Sequence, residues 1–311
     1  MNKLVLNSKI TDLAGRLKVQ FLETLGSSDD ISLFLCGGSQ YKQAEFRRIL
    51  GKGIAGVKSK YMYSVYYPED MFVELIHGHQ RQDLLNLENM LAESVHCVII
   101  LLQSPGTFTE LGAFANHESL RDKLIVVIDP EHRRKQSFIS HGPIRSLLAR
   151  TKSKVLYSRM DSTNLDVLVK QLTEAAREIA RHSSRTRDLS NPVLSYGFYM
   201  ALIYVFDPIP RYIVFDILRV IQSDRQDIAV AAAETVLNRL ISERKVVCNN
   251  ENLSITAKGI DSLIYDSRTK KRSMTILSLL SGLRLEALNV TLRKGYNGEW
   301  AMQGRPRRVY Q

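Results

Sequence analysis

Cysteine is scarce in this chain of 311 residues. Its three copies, Cys36, Cys97 and Cys248, lie far apart, each in or beside an apolar run, so they form neither a disulfide framework nor a metal-ligand spacing. Buried, reduced thiols in a cytoplasmic protein are the expectation, with no metal site. Long apolar runs are missing too. No uninterrupted stretch reaches the length needed to span a bilayer, and the amphipathic N-terminus (MNKLVLNSKITDLAGRLKVQ) lacks the continuous apolar core of a signal peptide, so no membrane partner is expected. Negative charge is in deficit: 43 Lys+Arg against 32 Asp+Glu leave a net +11 and a pI near 9.5. That balance favours a polyanionic partner such as nucleic acid, although anionic surfaces in general are attracted. Gly51, Lys52, Gly53 and Gly56 lack the order and spacing of a Walker A motif, which removes the P-loop class.

What is present is the composition of a globular chain, 44% hydrophobic and 24% charged, long enough for about two domains. Residues 4–25 read as an amphipathic helix, with Leu6, Ile10, Leu13, Leu17 and Phe21 at helical spacing. Residues 31–36 (ISLFLC) form a strand ending in Gly37-Gly38, where glycines allow either a close ligand approach or a sharp turn. A helix over 44–50 and a flexible loop over 51–56 follow. Residues 61–67 (YMYSVYY) form a strand that ends in Pro68-Glu69-Asp70. A helix over 83–93 carries Glu88 and Asn89 away from its apolar face. Residues 98–102 and 124–128 are fully apolar strands. Strands alternating with helices predict a Rossmann-like α/β fold, a parallel sheet with helices on both faces and ligands beyond the carboxyl ends of its strands.

The stretch 104–114, SPGTFTELGAF, follows the apolar strand at 98–102. A strand, a Pro-Gly turn and a helix start together aim backbone N–H groups at one spot, suited to phosphate or ribose oxygens, and Glu110 delivers a carboxylate to it. Such a carboxylate can attack an anomeric carbon. The same residues also read as a capping box, with Thr107 as N-cap and Glu110 reaching back from N3. Three strand ends, at Gly37-Gly38, Glu69-Asp70 and Ser104–Glu110, converge on one crevice, and that convergence favours the chemical role.

Residues 131–160 turn basic, from His132-Arg133-Arg134-Lys135 to Arg159, and read either as a solvated face or as a phosphate-binding surface, with Arg133, Arg134 and Lys135 as expected nucleic-acid contacts. A helix over 165–181 precedes a boundary near Ser190-Asn191-Pro192. Beyond it come helices at 193–206, 212–222 and from 228, then two short strands, 246–248 and 253–256, joined through Asn249-Asn250-Glu251-Asn252. Helices followed by a β-wing describe a winged helix-turn-helix, mainly helical, with Asn238, Arg239, Arg244 and Lys245 as expected nucleic-acid contacts; a purely protein-binding wing is the alternative. The expected division is a catalytic domain over 1–160, a connecting helix and linker over 161–192, a winged domain over 193–270 and a basic tail over 271–311 that orders on a partner.

Taken together, LCGG (35–38), YYPED (66–70), LLNLENMLAESV (84–95) and SPGTFTELGAF, with SFISHGPIR (137–145) and the winged second domain, resemble the nucleoside 2-deoxyribosyltransferase-like effectors of retron antiphage systems over nearly the whole chain. The resemblance implies a toxin held by a reverse transcriptase and its multicopy single-stranded DNA/RNA hybrid and released or activated on phage infection. It implies cleavage of an N-glycosidic bond, with NAD or another nucleotide as substrate rather than cofactor. Glu110 matches the carboxylate that attacks the anomeric carbon, and Glu88 falls at the acidic position that helps bind the base. Gly37, Gly38, Ser104, Gly106 and Thr107 are then candidates for phosphate and ribose, and Glu69, Asp70 and Asn89 for ribose or base. Two positions depart from the deoxyribosyltransferase pattern: Phe34 stands where a Tyr positions the carboxylate, and His96 where an Asp begins the next strand. Both departures weigh against transfer between bases and toward hydrolysis of an activated N-glycoside. A higher-order oligomer is a further expectation. The rival classes are a non-enzymatic, nucleotide-sensing and DNA-binding regulator or scaffold, and a nucleotide-sugar hydrolase of the cytokinin-activating type, whose usual double glycine before Thr is replaced here by Pro-Gly.

Overall fold

The computed structural model describes residues 8–26, 30–68, 92, 94–133, 137–149, 154–182, 189–224, 226–265 and 270–292. The chain divides into two compact units, Ser28–Thr186 and Met1–Ser27 with Arg187–Gln311.

The first unit is built on five parallel strands in the order β2-β1-β3-β4-β5. They are β1 (Asp30–Cys36), β2 (Met62–Tyr66), β3 (Cys97–Leu101), β4 (Leu124–Ile128) and β5 (Lys154–Tyr157). The central strands β3 and β4 are buried along their whole length, which is why they read as unbroken apolar runs. Alternation sorts their side chains. Leu33, Leu35, Ile99, Leu101, Ile125 and Val127 share one core with Leu50 and Ile54 of α2 (Tyr41–Ala55) and with Leu168 and Leu172 of α5 (Leu165–Ala180). Phe34, Val98, Ile100 and Val126 point to the opposite face, the one α3 (Pro105–Asn116) covers with Leu111 and Phe114. Helices therefore lie on both faces, as the sequence predicted.

Two local expectations change. The loop expected over 51–56 is helix to Ala55, because both glycines serve packing rather than breaking. A Cβ on Gly51 would stand 1.9 Å from the Tyr67 hydroxyl, and one on Gly53 would stand 2.9 Å from Cγ2 of Val169. Tyr67 and α5 can approach α2 only over those bare positions. In the basic stretch, residues 154–157 form the edge strand β5, whose Lys154 pairs with Glu178 at 2.6 Å. A π-turn over Ser140–Ile144 leads into the short α4 (Arg145–Leu148), which packs on β5.

In the second unit, α6 (Pro192–Val205), β6 (Ile209–Pro210), α7 (Arg211–Ile221), α8 (Gln226–Ser242), β7 (Val246–Asn249) and β8 (Asn252–Ile255) follow one another, with β8 paired antiparallel between β6 and β7. That order and pairing make a winged helix-turn-helix. The wing turns at Asn250-Glu251, both at positive φ (47° and 62°), the two-residue geometry that suits strand twist. The strand β6 was not foreseen. α9 (Ala257–Tyr265) closes the motif.

Around it pack α1 (Ser8–Gly26) and α10 (Lys270–Leu292). Ile10, Leu13, Leu17 and Phe21 of α1 are buried with Phe198, Tyr199, Leu280 and Leu283. The rings of Phe21 and Phe198 meet edge to face at 5.8 Å. Arg16 forks onto Glu286 at 2.7 and 3.0 Å, and Arg284 donates to the Tyr204 carbonyl at 2.6 Å. The leading helix thus belongs with the C-terminal half rather than with the sheet. Much of the expected tail is helix here, since Ile276, Leu280, Leu283 and Ala287 recur at helical spacing on its buried side. Residues 293–311 lie outside the described residues. Among the described residues, no helix is long and apolar enough to cross a membrane, and no group of His, Cys, Asp and Glu could hold a metal ion.

Candidate active site

In a sheet ordered 2-1-3-4-5, connections leave β1 and β3 on opposite sides, which opens a crevice at their carboxyl ends. Gly37-Gly38 follow β1 there, and Gln103-Ser104 follow β3. Gln43 of α2 spans the two ends, its Nε2 donating to the Gln103 carbonyl at 2.9 Å. A Cβ on Gly38 would lie 1.8 Å from Gln43 Oε1, and one on Gly37 would lie 2.8 Å from Cδ of Arg47. Arg47 is 5% exposed, donates to the Gly37 carbonyl at 3.2 Å and has its guanidinium 5.8 Å from the Tyr67 ring centre. The double glycine therefore makes room first for the protein's own side chains, which fix the crevice floor. Gln43 and Arg47 were missed by sequence reasoning; their signal is a polar pair at i and i+4 on the helix that directly follows Gly-Gly.

The SPGT turn is tighter than expected. The N-cap of α3 is Ser104, with Pro105 at N1, and Thr107 sits at N3. The cap is reciprocal: Ser104 Oγ accepts from the Thr107 amide at 3.5 Å, while Thr107 Oγ1 accepts from the Ser104 amide at 3.1 Å. Thr107 Oγ1 also accepts from the Gln103 amide at 3.1 Å and donates to the Ser104 carbonyl at 2.8 Å. Thr107 is thus not the N-cap, and Glu110 is not its capping partner. The box closes one turn earlier because Ser-Pro supplies both a capping hydroxyl and a preset φ. Pro105 has no N–H and Phe108 donates to the Ser104 carbonyl, so the Gly106 amide is the one the turn still offers.

Glu110 consequently stands in the second turn of α3, half-buried, on the stripe with Thr107, Leu111 and Phe114 that faces the sheet. Phe34 is buried in β1 between its pairing partners Tyr66 and Val98. His96 lies at the other end of β3, roughly 16 Å along the strand from the crevice. Its Nδ1 accepts from the Ser32 amide at 3.0 Å and contacts Ser32 Oγ at 2.9 Å, and its own amide donates to the Ser32 carbonyl. His96 is a structural clasp between β1 and β3. Glu69, Asp70, Glu88 and Asn89, together with Arg134 and Lys135, lie outside the described residues. Arg133 is described: its guanidinium stacks 5.2 Å from the Tyr157 ring centre at the carboxyl end of β5.

Three of the four expected nucleic-acid contacts of the winged unit, Asn238, Arg239 and Lys245, are engaged internally. Asn238 Oδ1 accepts from Arg211 at 2.7 Å. Arg239 and Lys245 pair with Glu243 at 2.8 and 3.0 Å, and both stack on the Tyr196 ring. Tyr196 also donates to Glu243 and accepts from Lys245. Burial alone would raise the Glu243 pKa, but hydrogen bonds from Tyr196, Arg239 and Lys245 outweigh it and hold the carboxyl at about 2. Arg244 closes α8 in the left-handed region at φ 58°, with the Lys245 amide donating to Leu240 and the Arg244 amide to Ile241.

A five-stranded parallel sheet with helices on both faces, followed along the chain by a mainly helical unit with a small antiparallel sheet, defines the fold class. The family described as "STM3845 retron effector protein" matches residues 43–247. The chain is 31% identical over 310 residues to the "Retron Ec86 putative ribosyltransferase/DNA-binding protein" of Escherichia coli, covering 94% of this chain and 95% of that one. It is 33% identical over 119 residues to the corresponding retron Ec73 protein of Escherichia coli, covering 37% of each. The chain belongs to the retron effector family.

Proposed function

We propose that this retron effector cleaves the N-glycosidic bond of NAD or a related nucleotide, with Glu110 as the attacking carboxylate. The observation that carries this reading is the release of Glu110 from the helix cap: Ser104 and Thr107 complete the capping box between themselves, so the helix start does not need the carboxylate at the crevice. A carboxylate oxygen bonds to C1′ as the C1′–N bond breaks, and nicotinamide departs neutral because the pyridinium takes up the bonding pair. Water then cleaves the glycosyl ester, regenerating the carboxylate and releasing a proton. The Gly106 amide is suited to a ribose or phosphate oxygen. The ribosyltransferase part of the Ec86 relative's name fits chemistry at an anomeric carbon, and Phe34 in place of the positioning Tyr favours water as acceptor.

The same reading puts the activity under the control of a reverse transcriptase and its RNA–DNA hybrid, supported by family membership and the net charge of +11. Incubation of the purified protein with NAD, alone and with those partners, tests it. Nicotinamide release is expected in one of the two states, reduced roughly 10³-fold or more by Glu110→Gln. No release in either state, or release unchanged by the substitution, refutes the assignment.

A further inference from the structure

The carboxyl edge of the sheet continues past β3 to β4 and β5. β3, β4 and β5 are neighbours, so the carboxyl end of β5 lies about 10 Å from that of β3, at two strand spacings. Leu156 packs into the core on the α2 side, so by alternation Tyr157, paired with Ile128, projects to the α3 side, the side from which Glu110 approaches. The guanidinium carbon of Arg133, just past β4, lies over that ring, 5.2 Å from its centre. A cation–π contact of this kind does not use up the N–H edge of a guanidinium, which suits a planar array of oxygens. Among the described residues that edge makes no hydrogen bond or ion pair. Asp129 accepts from the Glu131 amide at 2.9 Å and makes no ion pair with Arg133 among the described residues.

We propose that Arg133, held by Tyr157, binds the distal phosphate of a dinucleotide whose glycosidic bond lies at Glu110. The inference rests on the Glu110 reading and narrows its substrate to a molecule with two nucleotide halves joined by a pyrophosphate. A mononucleotide would fill only the β1–β3 end.

Calorimetric titration of the full chain with ADP-ribose tests this without requiring turnover, with nicotinamide mononucleotide as the control. Arg133→Ala and Tyr157→Ala should weaken ADP-ribose binding tenfold or more, Tyr157→Phe by no more than threefold, and mononucleotide affinity should stay within twofold in all three. Steady-state kinetics should then show the loss with NAD in KM rather than kcat. Absence of ADP-ribose binding to the unsubstituted protein, an Arg133→Ala value within twofold of it, or equal weakening of both ligands overturns the proposal. A failed Glu110 reading shows separately, as NAD left uncleaved or as cleavage indifferent to Glu110→Gln.

Discussion

Glu243 carries a prediction whose size follows from its surroundings. Its carboxyl titrates at about 2 instead of the usual 4.5, because Tyr196, Arg239 and Lys245 all favour the charged form. Taken at face value, that difference stabilises the fold by roughly 3 kcal/mol at neutral pH. The side chain is 30% exposed, so screening reduces the expectation to about 1–2 kcal/mol. The sign follows from the direction of the shift. Because the folded pKa lies below the unfolded one, the stabilisation is complete above about pH 4.5 and drains away as pH falls toward 2. Glu243→Gln should therefore lower the unfolding free energy of the winged unit by about 1–2 kcal/mol at pH 7. The gap to the unsubstituted protein should shrink steadily between pH 5 and pH 3. Denaturant unfolding at several pH values, with hydrogen exchange along α8 to isolate this unit, reads both quantities. A gap equally large at pH 3.5 and pH 7 would mean that the negative charge is not the source of the stability.

Two further outcomes follow from backbone and packing. Gly51→Ala should destabilise the sheet unit by about 1–3 kcal/mol, because the added methyl meets the Tyr67 hydroxyl at 1.9 Å, and Tyr67→Phe in the same chain should recover part of the loss in thermal unfolding. Arg244→Gly should raise stability by up to about 1 kcal/mol, since glycine adopts the left-handed cap at φ 58° without a Cβ penalty. If Arg244 also touches nucleic acid, the same variant loses affinity while gaining stability, and a duplex-binding titration separates the two effects.

The sheet was readable wherever burial is complete, because a strand covered on both faces leaves an apolar run that nothing else explains; 124–128 coincides with β4. The edge strand β5 was not readable. KVLY is only half-covered, needs no unbroken apolar run, and stands among lysines that suggest a solvated surface. Local signals misled where a distant partner decides. Gly51 and Gly53 look like breakers until Tyr67 and Val169 come to rest against them. Arg239 and Lys245 look like free cations until Tyr196, 49 residues before Lys245, and Glu243 collect them. The candidate carboxylate was legible from its strand-turn-helix setting, while its independence from the cap depended on which hydroxyl closes the box, a choice the sequence offers twice, at Ser104 and at Thr107.

The packing of α1 with the C-terminal helices makes the sheet unit an insertion in the other one: residues 28–186 interrupt a body whose two parts lie at opposite ends of the chain. During synthesis α1 emerges first and waits, its apolar stripe uncovered, until α6, α7 and α10 exist, whereas the sheet unit has all of its strands long before. The body that carries Glu110 can thus mature before the winged one closes around its own first helix. Any shortened version meant to isolate the sheet unit must give up α1 together with the C-terminal half, since removing the latter alone strands Ile10, Leu13, Leu17 and Phe21 in water.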